Sequence, residues 1–100
     1  MLTKIETKYN VTLITLTGCE GCSIMLSNVV EAVSKSRKAI DFKHINIGND
    51  TMNENKSFLS KHNIKDFPTL MLYIDKDLVF KYTGTMPVAV ILRWIDIHFK

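Results

Sequence analysis

The sequence predicts an α/β fold of order β-α-β-α-β-β-α, with a four-stranded mixed sheet carrying helices on both faces. Three observations predict it. Runs of β-branched and aliphatic residues alternate with segments whose apolar residues recur at helical spacing. The first two strands are separated by a helix, so they can lie parallel through a right-handed crossover. The last two are separated by a tight turn, which makes them an antiparallel hairpin.

Val11 to Thr17 reads as the first strand, and Gly18 ends it. From Cys22 onward, Met25, Leu26, Val29, Val30 and Val33 form the stripe of an amphipathic helix running to about Arg37. Ile40 to Ile47 is the second strand, and Gly48, Asn49 and Asp50 form a turn. Thr51 and Glu54 make a capping box that opens a helix through about His62, with Met52, Phe58, Leu59 and His62 facing inward. After Pro68, Thr69 to Ile74 is apolar at alternate and adjacent positions alike, which requires cover on both sheet faces. Asp75, Lys76 and Asp77 turn the chain, and Leu78 to Thr83 returns. Gly84 breaks the pattern, and Pro87 suits a first helical turn. Val88, Ile91, Leu92, Ile95 and Phe99 then mark one face of a last helix, with Trp94 off that stripe.

A length of 100 residues fits one domain with one modest core. With 46% hydrophobic and 23% charged residues the chain is of globular, not disordered, composition. A net charge of +3 does not point to nucleic acid. The one cationic cluster, Lys35, Arg37 and Lys38, falls where a helix should end and complements its dipole. The opening residues Met1, Leu2, Thr3 and Lys4 lack the apolar core of a secretory leader. No run reaches the roughly 18 apolar residues of a membrane span. The expectation is a cytoplasmic monomer that binds neither nucleic acid nor membrane.

Two cysteines occur, at positions 19 and 22. They close a loop too short to staple a fold, and in a reducing compartment such a pair points to redox chemistry or a metal. Cys19 falls at or just before the first turn of a helix, where unpaired N–H groups and the positive end of the helix dipole favour a thiolate. Cys22 lies one turn further on the apolar stripe, more buried and within reach of a disulfide. The chemistry this allows is a two-step exchange, with Cys19 as nucleophile and Cys22 as resolving thiol. Glu20 beside Cys19 opposes thiolate formation and tunes it toward a reductant. Other readings of the pair are buried small hydrophobes, a zinc site completed by two of His44, His62 and His98, and an iron–sulfur cluster shared by two chains. Haem attachment is excluded, because Ser23 stands where a histidine is needed.

The strand–Cys-x-x-Cys–helix unit, with Phe67-Pro68-Thr69 about 50 residues on and Lys81-Tyr82-Thr83-Gly84 after it, resembles the thioredoxin-like superfamily. The resemblance implies that superfamily's fold and a thiol–disulfide oxidoreductase of thioredoxin or glutaredoxin type. It implies a cis Phe67–Pro68 bond beside the cysteines, and a substrate groove formed by Phe67, Pro68, Thr69 and Gly84. It implies protein disulfides as substrates and no bound cofactor, with electrons from a thioredoxin-reductase-type flavoprotein or from glutathione. Three departures stand out. Glu20 and Gly21 replace the usual Gly-Pro or Pro-Tyr between the cysteines. No Gly-Gly glutathione signature follows Thr83. Leu13 stands where thioredoxins bury an acid, with His44 on the neighbouring strand as the candidate substitute. The alternatives are a glutathione-dependent glutaredoxin and a thioredoxin-like binding module without redox turnover.

Overall fold

A computed structural model describes residues 8–48 and 51–100. Seven elements follow in the expected order: β1 (Tyr9–Leu16), α1 (Glu20–Lys35), β2 (Ile40–Ile47), α2 (Lys56–Lys61), β3 (Thr69–Ile74), β4 (Asp77–Thr83) and α3 (Val88–His98). The sheet runs β2-β1-β3-β4, with β1 parallel to β2 and antiparallel to β3, and β3 antiparallel to β4. Strands β1 and β3 are central in the sheet, and the helices cover both faces along their middles. Val11, Leu13 and Ile14 of β1, and Leu70, Met71 and Leu72 of β3, are accordingly buried. The edge strands carry the charges, with Asp41 and Lys43 exposed on β2 and Asp77 on β4.

Alternation along the strands divides the interior in two. Val11, Leu13, Leu70 and Leu72 pack under α1 and α3 against Met25, Val29, Ile91, Ile95 and Phe99. Ile14, Ile47 and Met71 pack on the other face against Leu59 and Ile64 at α2. There the Tyr73 hydroxyl donates to the Met71 sulfur at 3.5 Å, and burial raises its pKa. Beyond α3, Trp94 closes on the rings of Phe80 and Tyr82, with centroids 4.8 and 4.9 Å away. Its place off the main stripe is thus a second packing edge of that helix.

Several sequence expectations need correction. Helix α1 begins at Glu20, directly after Cys19 as expected, but ends at Lys35, and its buried stripe is Cys22, Met25, Val29 and Ala32, while Val30 of the expected stripe is exposed. The Thr51–Glu54 capping box does not form. Thr51 Oγ1 instead accepts from the Gly48 N–H and donates to the Gly48 carbonyl, closing the loop after β2. Asn49 and Asp50 of the expected turn lie outside the described residues. Helix α2 is only six residues long. Its far end is held firmly: Asn63 adopts φ +54°, its N–H bonds the Ser60 carbonyl, and the Ile64 N–H bonds the Leu59 carbonyl. That is a Schellman cap, with Ile64 and Leu59 sharing the apolar contact. Lys81 Nζ donates to the His62 and Asn63 carbonyls at 3.2 and 3.0 Å.

Candidate active site

Strand β1 ends at Leu16 and the chain reverses at once. The Cys19 N–H donates to the Leu16 carbonyl at 3.1 Å, with Gly18 at φ +86° in the third position. That angle fits a type II turn and disfavours any side chain. Nothing lies within 4 Å of where a Cβ would sit, so conformation, not crowding, selects glycine. The turn delivers Cys19 to the N-cap of α1, where no side chain caps the helix. The first-turn N–H groups are left to act on whatever charge the sulfur develops. Cys22 follows one turn later, 5% exposed, its Cα 5.4 Å from that of Cys19, and the two sulfurs form a disulfide. Cys19 is half-buried, the more exposed of the two.

The Phe67–Pro68 bond is cis, and it lies beside the pair: a Cβ on Gly21 would stand 4.0 Å from Pro68 Cδ and 3.0 Å from Thr85 Cγ2. Gly21 therefore lets the loop from Gly84 onward close over the space between the cysteines. Gly84, at φ +122°, gives its N–H to the Pro68 carbonyl at 2.9 Å, so two of the expected groove residues are tied directly together. Thr69 is fully buried, with its hydroxyl donating to the Asp66 carbonyl and meeting Thr83 Oγ1. It holds the loop and presents no side-chain surface to a ligand. Glu20 is exposed on the first turn. Two participants carry no signal in the sequence. Thr85 packs over Gly21, and Asn28 Nδ2 fastens the Met86 carbonyl to α1 at 2.9 Å. Both contacts join residues distant along the chain.

Two clefts open near the N-terminal half of α1, and the second of them holds the cysteines. On the Gly84 side one of about 410 Å³ is lined by Ile24, Thr85, Met86 and Pro87, and Ile24 is largely exposed beside it. On the other side one of about 250 Å³ is lined by Cys19, Cys22, Thr15, His44 and Asn46. There Thr15 Oγ1 lies 2.7 Å from His44 Nε2 and 2.8 Å from Asn46 Oδ1, and Asn46 Nδ2 donates to Thr17 Oγ1 at 3.0 Å. A hollow of about 430 Å³ beside α2 contains none of these residues. Among the described residues, no three of His, Cys, Asp and Glu are placed to share a metal ion.

The family model described as Thioredoxin matches residues 3–97. No curated protein sequence matches the chain. Among solved structures, thioredoxin-2 of the malaria parasite is 16% identical with a TM-score of 0.79, over 95% of this chain and 87% of that one. A mutant thioredoxin from Halobacterium salinarum is 19% identical with a TM-score of 0.75, over 94% and 77%. The thioredoxin from Aeropyrum pernix is 16% identical with a TM-score of 0.68, over 91% and 75%. At these identities the likeness to the three structures is one of fold.

Proposed function

Because the chain belongs to the thioredoxin family and joins Cys19 to Cys22 at the head of α1, we propose that this thiol–disulfide oxidoreductase reduces protein disulfides. The observation that carries the reading is the pairing of a half-buried N-cap cysteine with a buried cysteine one helical turn away. In the reduced protein the Cys19 thiolate attacks a substrate disulfide; one substrate sulfur leaves as thiolate and a mixed disulfide forms. The Cys22 thiolate then attacks Cys19 Sγ, the second substrate sulfur leaves, and the protein disulfide closes. Each cycle moves two electrons from the protein to the substrate. An extended substrate lies along the Phe67 backbone and Gly84, with an apolar side chain in the cleft beside Ile24 and Met86.

Electrons return from a flavoprotein reductase of the thioredoxin-reductase type. Thr85 and Met86 follow Gly84 in place of a second glycine, which disfavours glutathione as the donor. A reducing compartment such as the cytoplasm is the setting in which the open dithiol is maintained, and the working unit is a monomer. The test is insulin reduction by dithiothreitol with wild type and Cys19→Ser in parallel. Wild type accelerates precipitation of the insulin chains, and Cys19→Ser does not. Equal rates with both proteins, or none above background, overturn the reading. Rapid turnover with glutathione and glutathione reductase alone would overturn the donor assignment.

A further inference from the structure

The resolving step requires Cys22 as a thiolate, yet Cys22 is 5% exposed. A thiol with so little water around it gives up its proton reluctantly. An acceptor must stand close by. The strand beneath offers none, since Leu13 is apolar and fully buried. The cleft that holds Cys22 is lined by one other side chain besides the cysteines that can take up a proton, and that is His44.

We propose that His44 Nε2, reached through Thr15 Oγ1, accepts the Cys22 proton as that thiol attacks the mixed disulfide; this rests on the dithiol exchange described above. The placement follows from the parallel register. Leu13 lies opposite His44 and Thr15 opposite Asn46, so the hydroxyl of Thr15 falls between two β2 side chains that share its face. Thr15 is 3% exposed, and the contacts of its hydroxyl with His44 and Asn46 use its one proton and one of its two lone pairs. With Asn46 Oδ1 toward Thr15, the hydroxyl gives its one proton to that oxygen and accepts from the His44 ring. A half turn of the Asn46 amide reverses every bond. Thr17 then donates to Asn46, Asn46 to Thr15, and Thr15 to Nε2, which becomes the acceptor.

The step balances as follows. The Cys22 S–H proton passes to the Thr15 hydroxyl as the hydroxyl proton moves to Nε2. The sulfur lone pair forms the bond to Cys19, and the Cys19–substrate bond breaks with its electron pair on the substrate sulfur. The imidazolium then releases its proton to water, which the exposed position of His44 on an edge strand allows. The groups facing the ring are Leu13 and Thr15 from β1, Phe42 and Asn46 from its own strand, and Cys22 and Leu26 from α1. Of these and of Cys19, which lines the same cleft, only the cysteines titrate. Lys43 and Asp41 alternate to the other face.

A stopped-flow reaction of the reduced protein with an aromatic bis-nitrobenzoate disulfide separates the two steps, because each releases one coloured thiolate. In His44→Gln the first release is unchanged, and the second slows by about 100-fold near neutral pH, the low end of general-base effects. The slowed phase rises about tenfold per pH unit until Cys22 ionises unaided, which its burial delays past the roughly 8.5 of an ordinary thiol. Thr15→Val slows the same phase, and Thr15→Ser restores it. A second release that is identical in wild type and His44→Gln across this range overturns the proposal while leaving the exchange intact. Absence of both releases in wild type overturns the dithiol reading itself, and the proposal with it.

Discussion

Glu20 stands exposed on the first turn of α1, one residue after the half-buried Cys19. Its negative charge opposes a developing thiolate, against the pull of the helix end. Replacing it with glutamine lowers the Cys19 pKa, by little because water screens the carboxylate. Ultraviolet titration of the thiolate measures this, and an unchanged or higher value refutes it. Tyr73 makes a different kind of prediction. Burial raises its phenol above 10.0, so the folded chain holds that proton more tightly than the unfolded chain. The stability this contributes is present below pH 10 and is lost as pH rises through the raised value. Urea midpoints therefore fall more steeply above that pH for wild type than for Tyr73→Phe, and parallel curves would refute the assignment. At this scale the sequence reads well where a residue's setting is local, as is the place of Cys19 at a helix start. It reads poorly where a role needs a distant partner. Thr85 is an ordinary loop threonine until the fold lays its methyl over Gly21.

Element by element, the match is best where periodicity is long. Strand β2 and strand β3 fall on the expected residues, and α1 and α3 differ only at their ends. Helix α2 is the exception. Thr51 and Glu54 have the spacing of a capping box, but the same threonine hydroxyl can close the turn from Gly48, and that local bond wins. The short helix that remains depends on its C-terminal cap and on Lys81, which reaches from β4 to the carbonyls of the two residues just past its end. Lys81→Met keeps the aliphatic stem and removes those bonds. It should cost about 1 kcal/mol in urea unfolding and speed hydrogen exchange at the Asn63 and Ile64 amides. No change in either measurement would mean that the Schellman cap suffices alone.

For the molecule as a whole, two central strands buried on both faces bind the two cores into one sheet. Leu72 is fully buried between β1 and β4. Leu72→Ala should cost about 2–5 kcal/mol, a large share of the roughly 5–15 kcal/mol typical of a domain. A loss below 1 kcal/mol in chemical denaturation would contradict that position. The apolar character of β3 on both sides makes the covered sheet legible from sequence, and the helix between β1 and β2 makes their parallel pairing legible. The place of the hairpin was not legible, because nothing local says that β3 joins β1 on the edge away from β2. The aromatic contacts of α3 have an optical consequence. Tyr82 lies against Gly84, close enough that a Cβ there would be 3.5 Å from its ring, and Trp94 lies against Tyr82. The chain holds a single tryptophan, so its emission is a built-in signal from one location. A ligand settling on Gly84 disturbs the ring next to that fluorophore. If substrate lies along Gly84 as proposed, its binding can be followed by light even in a variant without the cysteines.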